Sequence, residues 1–246
     1  MIGPESFSLH GRVTGVIKIQ WRYSIEMIQK ILDKGRTSLT EYESKQLLAS
    51  YGIPTVREIL VQDCEALIRA AHEIGYPIVL KGCSPAISHK TEKNIIQVDI
   101  RTDAEASTAF ETIVEKMDGL GRSVLVQEMV KGQRGLMVGL TRDAQFGPCV
   151  MFGLGGIFTE ILEDVVFRLA PLDHRDAFEM MKGIRGRKIL DAFRGMEKVD
   201  RDVLAQILIA VGRIGLENDR IYEIDINPLI VCNEIPIAVD ALVILS

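Results

Sequence analysis

Cysteine is scarce in this sequence of 246 residues. The four cysteines, Cys64, Cys83, Cys149 and Cys232, lie far apart. They have neither the CxxC nor the Cys/His spacing of a zinc site, and they are too few for a secreted disulfide scaffold. We therefore expect reduced thiols, as in a cytoplasmic protein.

Long hydrophobic runs are also absent. Every apolar stretch is shorter than the ~20 residues that span a bilayer, and residues 1–24 lack the apolar centre of a signal peptide. The sequence thus predicts a cytoplasmic protein with no membrane association. Residues 1–24 show no clear period, and we treat them as an extension to which no structure is assigned.

No long run of one charge sign occurs among the 29 basic and 34 acidic residues, which give a net charge of −5. This balance offers no electrostatic footprint for nucleic acid, so no nucleic-acid partner is predicted. With 47% hydrophobic residues, the chain can bury a substantial core in one large domain or two small ones.

Hydrophobic periodicity and capping residues, among them a capping box of Thr40 and Glu43, outline alternating helices and strands. Helices are predicted over 24–32, 40–51, 63–74, 103–117, 174–182 and 200–215. Strands are predicted over 56–61, 78–81, 95–100, 123–129, 136–141, 148–152, 165–169, 221–231 and 235–245. The central strands follow one another closely, which favours an α+β arrangement of two packed lobes over a doubly wound sheet. A hinge is predicted near residues 127–132.

The last predicted hairpin carries the clearest candidate site. Glu223, Asp225 and Asn227 alternate along a strand, so their side chains share one face, and Asp240 should lie beside Asn227 on the returning strand. The carboxylates in such a row repel one another unless a cation lies among them, and oxygen ligands favour Mg²⁺ or Mn²⁺. A solvated strand face that ends in an Asx-Pro turn is an equally weighted alternative.

Three weaker signals are consistent with a nucleotide. Lys81 ends a buried strand and could direct an ammonium group at a phosphate. The segment Gln127-Glu128-Met129-Val130 could line a base and ribose, although, taken alone, a strand end that runs into a turn is the better interpretation. The glycines of FGLGGI, including Gly155 and Gly156, allow close backbone approach to phosphate, but their spacing matches neither the P-loop nor the dinucleotide fingerprint.

His89 lies in the polar segment CSPAISHKTEKN, between the strand of Lys81 and the next strand. Most loop histidines are merely solvated. A neutral imidazole can nevertheless act as a nucleophile toward phosphorus, so His89 is a candidate catalytic residue.

Taken in order, several motifs resemble one family. They are PIVLK, SPAISHKTEKN, VLVQEMVKG, FGPCVMFGLGGI, EIDINPLI and AVDALV. The series, over roughly residues 25–245, resembles the ATP-grasp beta subunit of ADP-forming acyl-CoA synthetases, which is related to succinyl-CoA synthetase beta subunits. The resemblance implies an α/β protein of the α+β type, with two packed lobes, a mostly antiparallel central sheet and flanking helices. The lobes are expected to span 25–126 and 127–246.

The resemblance also implies a reaction. In such enzymes acyl-CoA, ADP and phosphate give free acid, CoA and ATP, reversibly, through an acyl phosphate and a phosphohistidine. A CoA-binding alpha subunit, in an alpha2beta2 assembly, would be the partner, and the substrates of this chain would be ATP or ADP with Mg²⁺ and phosphate.

By the same resemblance, the candidate residues take individual roles. His89 accepts the phosphoryl group, Lys81 contacts the nucleotide phosphates, and Glu128 lies by the adenosine. Asn227 and Asp240 bind Mg²⁺, with Glu223 and Asp225 as weaker candidates for the same shell.

The sequence departs from the family pattern at two places. Lys93 and Asn94 occupy positions where relatives usually have two glycines, and Gly135 stands where they commonly have a glutamate. Two alternatives therefore stay open. One is another ATP-grasp ligase, such as a succinyl-CoA synthetase beta chain, and the other is a regulatory subunit that binds nucleotide without catalysis.

Overall fold

The computed structural model describes residues 25–86, 95–132, 134–155, 164–192, 195 and 197–246. Residues 1–24, the segment with His89, and Gly156 lie outside this part of the chain. Among the described residues, no helix has the length and apolar character needed to cross a membrane.

Helices form where the sequence provides a polar N-cap and an apolar face. Thr40 and Glu43 form the predicted capping box at the start of the helix over Glu41–Ser50, and Asp63, Thr102, Asp173 and Asp200 cap the later helices. The helices are α1 (25–32), α2 (Glu41–Ser50), α3 (Cys64–Ile74), α4 (Asp103–Lys116), α5 (His174–Gly183) and α6 (Arg201–Glu217). A 3-10 turn covers Arg187–Leu190.

The strands form two antiparallel sheets. The first, in the order β1-β4-β2-β3, contains β1 (Glu58–Val61), β2 (Ile78–Gly82), β3 (Ile96–Ile100) and β4 (Val124–Glu128). The second, in the order β10-β8-β5-β6-β7, contains β5 (Gly135–Asp143), β6 (Gly147–Leu154), β7 (Val165–Leu169), β8 (Ile221–Cys232) and β10 (Leu242–Leu245). Strand β9 (Ile235–Ala238) pairs with the end of β8. The α+β, mostly antiparallel arrangement is as predicted.

Each sheet has its own hydrophobic cluster. Helices α3 and α4 pack on the four-stranded sheet, around Phe110 and Leu80. Helices α5 and α6 cover one face of the six-stranded sheet, and its cluster also includes Ile28, Leu47 and Leu48 from α1 and α2. The helices of residues 25–50 thus pack with the second sheet, whereas the sequence placed them in the first lobe. The lobe boundaries stay a prediction.

The predicted hairpin over 221–245 needs one correction. A tight turn at Asn233 and Glu234, both with positive φ, joins β8 to β9 as expected. The returning arm, however, is interrupted at residues 239–241, and the chain then continues as β10 beside the beginning of β8. Strand β8 is therefore long enough to pair with two short strands in succession.

The segment between β4 and β5, where a hinge was predicted, passes very close to β8. A Cβ atom on Gly132 would lie 2.3 Å from Ile230 Cγ2 and 2.6 Å from the Val231 carbonyl oxygen. Only glycine fits such an approach. The connection between the sheets is thus packed directly against the strand that carries the candidate site.

Candidate functional site

The acidic row of β8 lies on the sheet face opposite to α5 and α6. Ile224 and Ile226 point into the core, so the alternate residues Glu223, Asp225 and Asn227 share the other, half-buried face, as the spacing predicted. The side chains brought together are those expected from the sequence.

The open face changes character across the sheet. Asp225 pairs with Gly139, and Gly139 pairs with Met151 on β6. Met151 in turn pairs with Phe167 on β7, whose side chain is 55% exposed. The face is therefore acidic at β8 and apolar at β7.

Asp240 lies in the interruption between β9 and β10. Ala238 pairs with Leu229, and the Val239 amide donates to the Pro228 carbonyl at 3.1 Å. Val239 is therefore opposite Pro228. Extending the antiparallel register by one more residue puts Asp240 opposite Asn227, as predicted from the sequence. The Asp240 Oδ1 also accepts a hydrogen bond from the Ala241 amide at 2.8 Å.

The electrostatics of this face favour a cation. Burial, together with the charges of Glu223 and Asp240, raises the pKa of Asp225 to about 6. Within the described part of the chain, its Oδ1 is buried and accepts no hydrogen bond, which leaves a lone pair for a metal. Among the same residues, however, no three His, Cys, Asp or Glu side chains converge closely enough to hold a metal ion. The arrangement thus fits Mg²⁺ that is completed by substrate phosphate and water.

Asp225→Asn should stabilise the free protein at neutral pH. Raising the pKa from 3.8 to about 6 costs the folded state about 3 kcal/mol when the carboxylate is ionised. This penalty is present above pH 6 and disappears as the pH falls toward 4, because the folded state then binds the proton more tightly than the unfolded state. Urea unfolding of the variant and the parent at pH 7 and at pH 4 measures the difference in their free energies of unfolding.

A matched control lies at the end of β5 in the same sheet. Hydrogen bonds from the Phe146 and Gln145 amides lower the pKa of Asp143, so Asp143→Asn should show the opposite pH dependence. If the Asp225→Asn variant is less stable than the parent at pH 7, the ionised Asp225 carboxylate does not destabilise the folded state, and the prediction is wrong.

Lys81 projects from β2 into a buried position between the two sheets, where its exposure is 5%. Its Nζ donates to Glu41 Oε1 at 2.8 Å and to the Val239 carbonyl at 3.0 Å. The sequence predicted an ammonium group directed at a phosphate. In the structure this ammonium is already paired with a carboxylate, and it touches the residue next to Asp240.

Glu128 is also engaged by a partner that the sequence did not predict. Its two carboxylate oxygens accept hydrogen bonds from the Arg57 amide at 2.8 Å and the Arg57 Nε at 2.9 Å. Met129 and Val130 follow β4 as half-buried residues. Since each carboxylate oxygen can accept two hydrogen bonds, Glu128 keeps capacity for a ribose hydroxyl, and its predicted role stays a prediction.

The Gly-rich segment has a packing reason of its own. A Cβ atom on Gly155 would lie 2.7 Å from the Leu136 carbonyl oxygen, and the Gly155 amide donates to the Gly135 carbonyl at 2.9 Å. This close contact with β5 accounts for glycine at position 155 without a phosphate. Gly156 is outside the described residues, so the predicted phosphate contact stays untested for both glycines.

The departure at Gly135 leaves space beside the site. A Cβ atom there would meet only ordinary contacts, at 3.6 Å from Pro228 Cβ and 3.8 Å from the Gly155 carbonyl carbon. Arg134 does not fill the gap. Its buried guanidinium donates to the carbonyls of Ile189 and Asp191, so it does not replace a missing acid. Lys93 and Asn94, the other departure, lie outside the described residues.

Sequence reasoning missed a pair of charged residues on α2. Glu41 and Lys45 are buried and form an ion pair at 2.7 Å. They lie four residues apart, on the same side of the helix as the buried Leu48. Two charged residues on the buried side of an amphipathic helix are the signal that could have identified them.

Comparison with known proteins places this fold in a family. A model of the ATP-grasp domain family matches residues 30–245. The beta subunit of ADP-forming acetate–CoA ligase I from Pyrococcus furiosus is 43% identical over 225 residues, which cover 89% of this chain and 97% of that protein. ADP-forming acetate–CoA ligase I from Archaeoglobus fulgidus is 34% identical over 218 residues, which cover 87% of this chain and 32% of that protein.

A solved structure shares the fold. Acetyl-coenzyme A synthetase 1 from Ca. Korarchaeum cryptofilum, in complex with coenzyme A and Mg-AMPPCP, matches with a TM-score of 0.80 and 41% identity. The match covers 90% of this chain and 99% of that one, and in that structure the phosphohistidine segment points towards the nucleotide binding site.

The two-sheet fold and its match to the family model define an ATP-grasp protein. Within that class, the chain belongs to the family of beta subunits of ADP-forming acetate–CoA ligases. The predicted ATP-grasp fold and family are thereby confirmed. The partial coverage of the longer A. fulgidus chain, and the existence of a named beta subunit, imply a partner alpha subunit.

Proposed function

We propose that this chain binds Mg-ADP and Mg-ATP as the nucleotide-binding subunit of an ADP-forming acyl-CoA synthetase. With a CoA-binding alpha partner, it would convert acyl-CoA, ADP and phosphate reversibly into acid, CoA and ATP. The K. cryptofilum relative, whose structure contains coenzyme A and Mg-AMPPCP, supports this assignment. An alpha2beta2 assembly belongs to the same proposal.

One observation carries the proposal. Lys81, on the four-stranded sheet, donates to the carbonyl of Val239 at 3.0 Å, and Val239 directly precedes Asp240 on the six-stranded sheet. The only basic group predicted to bind phosphate thus adjoins the residues predicted to bind metal, although they are far apart in sequence. A polyphosphate lying between the sheets could contact both groups at once.

Asn227 and Asp240 would hold Mg²⁺, with Asp225 and Glu223 as neighbours that add negative charge. The half-buried face and the unpaired Asp225 Oδ1 fit such an ion. Bound Mg²⁺ would neutralise charge on the transferring phosphoryl group. Lys81 would donate to the same phosphate oxygens from the opposite sheet.

His89 would carry the phosphoryl group between the alpha partner and the nucleotide. A transient P–N bond divides one long transfer into two short ones. The phosphohistidine segment of the K. cryptofilum relative supports this role. Glu128, Met129 and Val130 would line the adenosine.

The proposal predicts saturable binding of Mg-ADP to the full chain, with an affinity that depends on Mg²⁺. Isothermal titration with ADP, first with Mg²⁺ and then with EDTA, measures it. The chain purified with its alpha partner should then form ATP from phosphate, ADP and one or more members of an acyl-CoA panel. No heat of binding at millimolar nucleotide would contradict the proposal, and turnover restricted to succinyl-CoA would indicate a succinyl-CoA synthetase beta chain.

A further inference from the structure

Four charged side chains are buried together between the two sheets. Two are basic and two are acidic, so their formal charges cancel. They come from α2, β1 and β2, and the two basic groups both contact the carbonyl of Val239. The four residues are Glu41, Lys45, Glu58 and Lys81, and we call them the buried tetrad.

Glu41 is the centre of the tetrad. Its Oε1 accepts hydrogen bonds from Lys45 Nζ at 2.7 Å and from Lys81 Nζ at 2.8 Å. The Val239 carbonyl likewise receives both ammonium groups, at 3.3 Å from Lys45 and 3.0 Å from Lys81. Each lysine is therefore held against the same two oxygen atoms, one from α2 and one from the interruption between β9 and β10.

The two lysines differ in the donors that remain. An ammonium group has three N–H donors. Lys45 contacts Glu41, Gln127 and Val239, and it also forms a short ion pair with Glu58, so its donors are fully used. Lys81, within the described part of the chain, uses two donors. Lys81 is thus the lysine with a donor available to a phosphate oxygen, while Lys45 is committed to its protein partners.

Such a cluster is not explained by stability alone. Taking four charges out of water costs free energy that ion pairing only partly returns, and buried pairs can often be replaced by apolar residues without loss. Burial also raises the pKa of the Glu58 carboxyl, against the effect of Lys45. The contacts of the tetrad instead hold the Lys81 ammonium group in one place. Such positioning is what a lysine needs to bind a charged ligand.

We propose that Glu41 and Lys45 are positioning residues that hold Lys81 and the Val239–Asp240 peptide in register for the nucleotide phosphates. Glu41 does this by direct hydrogen bonding to Lys81. Lys45 does it by fixing Glu41 and Val239 from the other side. This inference rests on the proposed role of Lys81 as a phosphate contact, and it adds residues that themselves touch no nucleotide.

The critical variant is Glu41→Asp, because it keeps the charge of the tetrad and withdraws the carboxylate by one methylene. The experiment uses the full chain with its alpha partner and measures the Kd and KM for Mg-ADP, the KM for acyl-CoA and the Tm. We expect the affinity for Mg-ADP to fall by roughly 10- to 100-fold, with the KM for acyl-CoA unchanged. Wild-type affinity in a folded Glu41→Asp protein would overturn the positioning role.

Glu43→Asp is the matched control. Glu43 lies in the same turn of α2, and it bonds Arg36 and the Thr40 cap instead of Lys81. The Glu43→Asp variant should have a lower Tm than the parent but the same affinity for Mg-ADP. If both variants lose affinity in proportion to their loss of Tm, the role of Glu41 is merely structural.

A double-mutant cycle separates this inference from the proposed function. In a Lys81→Met background, Glu41→Asp should cause no further loss of affinity, because the residue that it positions is gone. If Lys81→Met itself binds Mg-ADP normally, the proposed role of Lys81 fails. If Lys81→Met loses affinity and Glu41→Asp does not, only the positioning inference fails. Should Glu41→Asp not fold, Glu41→Gln keeps the side-chain length and should show the same loss.

Discussion

His89→Ala is expected to abolish ATP formation, lowering turnover by at least about 10⁴-fold, because no other side chain can replace a covalent phosphoryl carrier. Binding of Mg-ADP should be unchanged, since the proposed nucleotide contacts come from Lys81 and the β8 face. The measurement is turnover of the complex with its alpha partner, together with transfer of label from γ-labelled ATP. Wild-type protein should acquire an acid-labile label that the variant lacks.

His72→Ala provides the control. His72 is an exposed residue of α3 that contacts Asp103, and it should keep full labelling and turnover. Undiminished turnover in His89→Ala would remove the phosphoryl relay and favour an ATP-grasp ligase without a covalent histidine intermediate.

Lys81→Met is expected to lower both stability and nucleotide affinity. Removing one cation leaves Glu41 and Glu58 to share the single charge of Lys45, and an uncompensated buried charge costs about 3–5 kcal/mol. Loss of a charged hydrogen bond to phosphate costs a further 1.5–3 kcal/mol of binding, which is roughly a 10- to 150-fold increase in the Kd for Mg-ADP. Urea unfolding and calorimetric titration measure the two effects separately.

The double variant Lys81→Met/Glu41→Gln separates the effect of the unbalanced buried charge on stability from the effect of the lost phosphate donor on affinity. It removes one charge of each sign, so the buried tetrad is neutral again and most of the stability should return. The affinity for Mg-ADP should stay low, because the donor to phosphate is still missing. Recovery of both properties together would mean that Lys81 acts only as a structural ion-pair partner.

Most of the secondary structure followed from local patterns in the sequence. The capping box of Thr40 and Glu43, and the alternation of Ile224 and Ile226 with polar residues, each predicted an element that the structure contains. The interruption at 239–241 could not be predicted in this way, because the apolar pattern continues through it and the cause is the pairing of β8 with two strands.

The candidate site was predictable where one strand carries it. The row on β8 follows from a period of two, whereas the partners of Lys81 depend on packing between distant segments. Glu41 Oε1 and the Val239 carbonyl approach Lys81 only after α2 has packed against the six-stranded sheet. The pairing of Glu128 with Arg57 arises in the same way, from the neighbouring strands β1 and β4.

The position of the first helices has a consequence for the order of folding. The Leu39 amide donates to the Val243 carbonyl at 2.9 Å, and the Leu245 amide donates to the Thr37 carbonyl at 2.7 Å. The four-stranded sheet takes its strands and its hydrophobic cluster from residues 58–128, so it can form during synthesis as soon as these strands are available. Helices α1 and α2, although made earlier, must wait for β8 to β10 before their apolar faces are covered. Until then, Leu47 and Leu48 lack the partners that bury them in the folded protein.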